Sequence, residues 1–271
     1  MDWYEQFNRL AGDLYPDHYT KAYVTDLAAT AREVGALARQ KRSLIVAHNY
    51  VYPELQEVAD AVGDSLGLSQ FVARKMPPRV DFCGVWFMGE TAKIIAGNRS
   101  RVYMPDRAGC SLAESVQERN ITLWRASHPN GIVITYVNSD ARAKAISNYV
   151  CTSGNAAKVV RHATSIYPGR PILFLPDKYL GAVAMAQAEV PPGLFQLHDG
   201  SCHVHAAIDG DALEAALERR PSAEPLIHPE CACVKSHLSP RAGGGIRSLR
   251  IRFLSTEQML RRARQSLVAE G

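Results

Sequence analysis

The chain has 271 residues, 46% of them hydrophobic and 21% charged, with a formal net charge of +4. This composition excludes a disordered or fibrous chain and leaves ample length to bury a core. Six cysteines in this length are too dilute for a disulfide scaffold, and the mild positive charge suits anionic small molecules as well as nucleic acid.

No run approaches the roughly 18 consecutive apolar residues of a membrane span. The start, Met1 to Gln6, lacks the apolar core of a secretory signal. The expectation is a soluble cytoplasmic protein without a membrane or nucleic-acid partner. There, cysteines are more often buried, catalytic or metal-bound than paired.

A helical pattern from Ala22 to Arg39 comes first. Ser43 to His48 reads as a buried strand, and Pro53 to Val62 as a helix with proline in its first turn. Val80 to Val85 is a strand, Glu90 to Ile95 a helix and Val102 to Met104 a short strand. Gly131 to Val137 is a strong strand, followed by helices at Asp140 to Ile146 and Ala156 to Ala163. Pro171 to Leu175 is a strand and Tyr179 to Ala188 a helix. Asp211 to Glu218 is helical, Pro225 to Ile227 a strand and Gln258 to Ser266 a basic helix. This alternation predicts an α/β fold with parallel sheets. The cluster Gly243-Gly244-Gly245 reads as a surface loop or an anion-binding nest.

Polar residues recur just after the strands: His48-Asn49-Tyr50, Tyr136 and Asn138, Asp177, and His228-Pro229-Glu230-Cys231. In parallel α/β sheets, these strand ends face the ligand crevice. Cys110, after Gly109 and before a helix start, is either a buried structural thiol or a thiolate favoured by helical N–H groups. Cys202 and His205 are three apart and share one side of a turn, a metal-ligand spacing that an exposed polar loop would also show. His228 and Glu230 suit an acid/base pair if the carboxyl is shifted upward, and a capped turn otherwise. Ser65 and Ser153 lie in small-hydroxyl turns before helices, which cap the helix or bind an anion. There is no GxxxxGK[ST], GxGxxG after a strand, or GxSxG, which counts against a nucleotide triphosphatase, a Rossmann dehydrogenase and an α/β-hydrolase.

Taken in order, several segments resemble quinolinate synthase, an iron–sulfur enzyme of NAD biosynthesis. They are Ile45 to Ser65, Phe82 to Lys93, Val102 to Glu114, Ile134 to Asn138 with Ala145 to Asn155, Leu173 to Gly181, Gly200 to His205, His228 to Cys231, and Ser255-Thr256. The resemblance implies three similar parallel-sheet α/β lobes around a pseudo-threefold axis. These would span residues 43–127, 128–209 and 210–271, after a helical segment at 1–42. It implies a [4Fe-4S] cluster acting as Lewis acid, with Cys110 and Cys202 among its ligands. It further implies condensation of iminoaspartate with dihydroxyacetone phosphate, and a functional link to an L-aspartate oxidase or aspartate dehydrogenase. Tyr50, Tyr136, His228 and Glu230 match catalytic positions. His48, Ser65, Asn138, Ser153, His205, Ser255 and Thr256 match substrate contacts.

In the family the third cluster cysteine lies downstream of the Ser-Thr turn, whereas no cysteine follows Thr256 here. The third lobe is therefore expected to be incomplete and its cluster ligand missing; Cys231 and Cys233 are the disfavoured substitutes, because they sit beside Glu230 and on another side of the crevice. Two alternatives stand beside the enzyme: a non-catalytic relative that binds dicarboxylate or phosphate without a full cluster, and a lyase or hydrolase with a mononuclear metal at Cys110, Cys202 and a nearby histidine.

Overall fold

A computed structural model describes residues 2–235 and 251–269. The glycine cluster at 243–245 lies outside these residues. The chain divides into two compact units, Met1–Ala108 and Gly109–Gly271. Both are α/β, and every strand pairing is parallel among the described residues, as the alternating pattern predicted. No described helix is long and apolar enough to cross a membrane.

The first unit opens with α1 (Trp3–Ala11) and α2 (Lys21–Lys41). Phe7, Ala11, Tyr19 and Val24 form a small core between them. Next come β1 (Ser43–His48), α3 (Pro53–Glu57), β2 (Ala61–Gly63), α4 (Ser65–Lys75), β3 (Arg79–Cys83), α5 (Trp86–Ala96) and β4 (Arg101–Tyr103). The strand order is β2-β1-β3-β4. The helix expected over Pro53 to Val62 is shorter, because Asp60 ties the chain to β1. Its backbone N–H donates to the Ile45 carbonyl at 2.8 Å, and its carboxylate accepts from the Ile45 N–H at 2.8 Å. Residues 61–63 thus become an edge strand paired with Val46 to His48. The helix expected from Glu90 begins at Trp86, where Phe87 and Met88 are already buried.

The second unit begins with α6 (Ser111–Glu114) and α7 (Glu118–Ser127). It continues with β5 (Ile132–Tyr136), α8 (Ala141–Ala145), β6 (Tyr149–Cys151), α9 (Ala156–Ile166), β7 (Ile172–Leu175), α10 (Lys178–Gln187) and β8 (Phe195–Leu197). These strands order as β6-β5-β7-β8. β5 and β7 are buried along their whole length, so their side chains feed two cores on alternate faces. Ile132, Ile134, Tyr136 and Phe174 pack with Val160, Ala163, Leu180 and Ala184. Val133, Leu173 and Leu175 pack on the opposite face with Ile121 and Trp124. At about 1.5–3 kcal/mol for each large side chain buried, these cores hold the strand ends in place.

The chain then forms α11 (His203–Ala206), α12 (Gly210–Arg219), β9 (Leu226–Ile227), β10 (Arg252–Phe253) and α13 (Thr256–Ala269). β9 and β10 make a two-stranded sheet. Ile227, Cys231, Cys233, Val234 and Ile251 form a core that includes Tyr179 and Val183 of α10. Cys231 and Cys233 are joined by a disulfide. This differs from the expectation that cysteines here are unpaired, and it follows from two buried thiols meeting across a single turn.

Candidate active site

In the first unit, the C-terminal ends of β1 and β2 gather His48, Asn49, Tyr50 and Ser65. The Tyr50 N–H donates to His48 Nδ1 at 3.3 Å, and the two rings meet edge to face at 4.7 Å. Burial pushes the His48 imidazole down to about 4 against an opposing effect of Asp64, so it is neutral near pH 7. Asp64 caps α4 through the Gly67 N–H, which leaves Ser65 buried in the first turn. Tyr50 is largely exposed.

The second unit holds the denser constellation. Tyr136 ends β5, Asp177 follows β7 and caps α10, and His228 and Glu230 follow β9. Cys202 and His205 sit on the turn that opens α11. That turn is held against the end of β7: Gly200 bridges Asp177, its carbonyl accepts from the Lys178 N–H at 2.9 Å, and the Cys202 N–H donates to Asp177 Oδ2 at 3.3 Å. A side chain at Gly200 would come within 2.5 Å of the Pro176 carbonyl, so this approach requires glycine.

Glu230, Asp177 and Tyr136 are buried, with Asp177 fully inaccessible. Burial, then the nearby Asp177 charge, pushes the Glu230 carboxyl up to about 8, while a hydrogen bond from the Tyr136 hydroxyl opposes the rise. Asp177 is itself pushed up to about 6 by burial, restrained by backbone N–H donors from Leu180, Cys202 and Tyr179. Burial, then Glu230, raises Tyr136 well above the ordinary phenol range, and Ser153 donates to its oxygen. His228 is pushed down to about 3 by burial and then by His205, whose own imidazole burial lowers. The two rings stack at 4.7 Å.

Glu230 lies 3.9 Å from His205 Nε2 and 4.0 Å from His228 Nδ1. These are contacts between neutral groups near pH 7, since burial keeps the carboxyl protonated and both imidazoles uncharged. The raised carboxyl that an acid/base role for Glu230 requires is therefore present.

Cys110 is half-buried beside α6, whose Leu112 and Ala113 N–H groups point at its sulfur. Helical N–H groups were expected to favour its thiolate. Burial outweighs them, with smaller contributions from Cys202 and Glu230, so the thiol is pushed up. Asn138 is half-buried two residues past β5. Ser255 is buried and caps α13 reciprocally with Gln258: the Ser255 N–H donates to Gln258 Oε1 at 2.8 Å and the Gln258 N–H to Ser255 Oγ at 3.4 Å. Thr256 is the first residue of that helix. Ser153 and Gly154, before α9, line a cavity together with Lys158, Arg161, Pro229 and Gln258.

Asp177 follows a strand in the sequence, and its spacing alone assigns it no role. The signal was its place after a fully apolar strand, where a carboxylate caps the next helix and also faces the site. The donor atoms of Cys202, His205 and Glu230 lie within 4.8 Å of one another, a geometry suited to a metal ion. His205 Nδ1 is buried without a hydrogen-bond partner among the described residues, an arrangement that costs about 1–3 kcal/mol if left so.

The described residues offer the following thiols to an iron–sulfur cluster. Cys110 and Cys202 provide two thiols. Cys231 and Cys233 are bonded to each other in a separate core, and Cys151 is buried in β6. Cys231 and Cys233, the disfavoured substitutes, are not free thiols while that disulfide is closed.

A family model described as NadA: Quinolinate synthetase A protein matches residues 32–270. The quinolinate synthase of Pyrobaculum aerophilum is 45% identical over 237 residues, covering 86% of this chain and 73% of that protein. Those of Mycolicibacterium paratuberculosis and Mycobacterium tuberculosis are each 43% identical, covering 86% and 88% of this chain and 65% and 68% of theirs. The match takes in the Tyr136, Cys202–His205 and His228–Glu230 segments, and the chain belongs to the quinolinate synthase family.

Proposed function

We propose that the chain condenses iminoaspartate with dihydroxyacetone phosphate to quinolinate, releasing phosphate and water. The observation that carries this reading is the neutral, buried Glu230 beside the Tyr136 hydroxyl and two neutral imidazoles. Enolisation, imine formation and dehydration each need a proton given or taken near neutral pH. Such a set supplies acid and base together. Glu230 gives a proton to a departing hydroxyl, His228 takes one from carbon, and Tyr136 passes a proton between Glu230 and the substrate oxygen. Tyr50 has a similar role in the first unit.

His48, Ser65, Asn138, Ser153, His205, Ser255 and Thr256 are the donors proposed for the carboxylates and phosphate. In this reading iminoaspartate is supplied in the cytoplasm by an L-aspartate oxidase or aspartate dehydrogenase, and the product enters NAD biosynthesis. The [4Fe-4S] cluster that accompanies the reading would meet two thiols here, Cys110 and Cys202, and none of these proton steps passes through it.

The test supplies anaerobically purified protein with dihydroxyacetone phosphate and iminoaspartate generated in situ. Quinolinate and phosphate are expected in equal amounts, and Tyr136→Phe should slow turnover by about 100-fold. Calorimetric binding of a dicarboxylate without any quinolinate would reject catalysis and leave the non-catalytic binding protein.

A further inference from the structure

We propose that Gln56 is the positioning residue for Tyr50: its side-chain amide closes the turn on both sides of that tyrosine and sets where the ring is held. Its bearing on turnover rests on the reading of Tyr50 as a proton carrier in the proposed reaction. All the groups involved lie in the first unit.

Tyr50 is 65% exposed, so packing fixes little of its side chain and its place follows from the backbone around it. That backbone is the turn Asn49 to Val51, in which every N–H is engaged. The Asn49 N–H donates to the Gly63 carbonyl at 3.0 Å, the Tyr50 N–H to His48 Nδ1 at 3.3 Å, and the Val51 N–H to the His48 carbonyl at 3.2 Å. Two carbonyls of the turn are met from α3. Gln56 Nε2 donates to the Asn49 carbonyl at 3.2 Å and to the Val51 carbonyl at 2.9 Å. These belong to the residues on either side of Tyr50, so one NH2 group spans the tyrosine with both of its hydrogens. The two acceptors also fix which way the amide faces, because its oxygen would meet only other oxygens there. A glutamate at this place has the same reach and, when ionised, no hydrogen to give.

α3 has five residues, too few for a helix to persist by its own backbone bonds. The helical layer ahead of β1 braces it. The hydroxyl of buried Tyr19 donates to Glu54 Oε2 at 2.8 Å, Gln6 Nε2 donates to Glu57 Oε1, and the Tyr15 and Tyr52 rings meet at 5.3 Å. Gln56 therefore reaches the turn from a fixed support, as a residue that places another must.

The test compares full-length wild type with Tyr50→Phe, Gln56→Glu and the double variant. It reads amide hydrogen exchange in peptides covering residues 48–52, and quinolinate formation across roughly pH 5.5 to 8.5. Near the alkaline end, Gln56→Glu should speed exchange in those peptides by about 10-fold over wild type at the same pH, with the peptides of β5 and β7 unchanged. It should lower kcat by about 10-fold and change KM by less than about 2-fold. Both effects should shrink as pH falls, because the protonated side chain regains one O–H donor. In the Tyr50→Phe background, Gln56→Glu should cost nothing further in kcat, since it acts through Tyr50. The proposal is overturned if exchange at 48–52 is unchanged, or if the two losses in kcat multiply in the double variant. Gln56→Met keeps the stem and has no side-chain N–H. It should reproduce the losses without their pH dependence, and it decides if Gln56→Glu fails to fold. Full turnover by Tyr50→Phe overturns the reading of Tyr50 instead, and the exchange readout then shows separately whether Gln56 closes the turn.

Discussion

Replacing Glu230 by glutamine in metal-free protein should remove a loss of stability that wild type suffers as pH rises. In the folded chain, burial and then Asp177 raise this carboxyl from its ordinary value of 4.5 to about 8. Between those values the folded state holds a proton that the unfolded state has released, so stability falls as pH rises through this window. Each tenfold difference in proton affinity between the two states is worth about 1.36 kcal/mol, so the full effect is on the order of 4–5 kcal/mol. Asp177 is raised to about 6 and shares part of the same electrostatic coupling, so a net change of about 3 kcal/mol is expected for Glu230 alone.

His228 works in the opposite direction. Its imidazole falls from 6.5 to about 3, so the stability linked to it is present above pH 6.5 and lost as pH falls toward 3. Glutamine has the shape of the protonated carboxyl and cannot ionise. The Glu230→Gln protein should therefore keep the acid-side loss and shed most of the alkaline-side loss. Urea unfolding of both proteins at about pH 5 and about pH 9 reads this as a stability difference that grows by about 3 kcal/mol in favour of the variant. A difference that stays constant across that range would refute the assignment of a buried, protonated Glu230.

Asp177→Ala removes the acceptor for the Leu180 and Cys202 N–H groups, so a loss of about 2–4 kcal/mol is expected in thermal or urea unfolding. Asp177→Asn, which keeps one oxygen acceptor, should recover part of it, and a neutral Asp177→Ala would show that this carboxylate does not hold the turn. Gly181→Ala would place a methyl 2.4 Å from Leu197 Cδ2 and 2.8 Å from Phe174 Cδ1. It should destabilise by about 1–3 kcal/mol through overpacking. Gly193→Ala, with no atom within 4 Å, is the control expected to be nearly neutral by the same measurement.

Much of the fold was legible because local signals agreed. The run from Ser43 to His48 is a strand with those bounds, and β5 and β7 fall inside the predicted apolar runs. Largely apolar runs of four to six residues separated by helical periods have few alternatives to a parallel sheet. The short edge strands were not legible. Residues 61–63, 149–151 and 195–197 carry no pattern of their own and become strands because a central neighbour offers backbone partners. Ser255 illustrates the limit at the site: its place in a Ser-Thr turn marked a donor, while only the packed structure shows its hydroxyl engaged in capping α13.

By itself, the sequence determined the α/β class, the family, and the side chains that follow the strands. Residue types and their order are properties of the chain alone. Tertiary structure decided what state those side chains are in. Glu230 is neutral because burial and Asp177 act on it together, and Cys110 is less acidic than its helix start suggested because desolvation exceeds the pull of two N–H groups. Of the six cysteines counted at the outset, packing joins Cys231 to Cys233 and leaves Cys202 with an imidazole and a carboxyl as its neighbours. Desolvation and proximity depend on residues far apart in the chain, so no reading of spacing along it contains them.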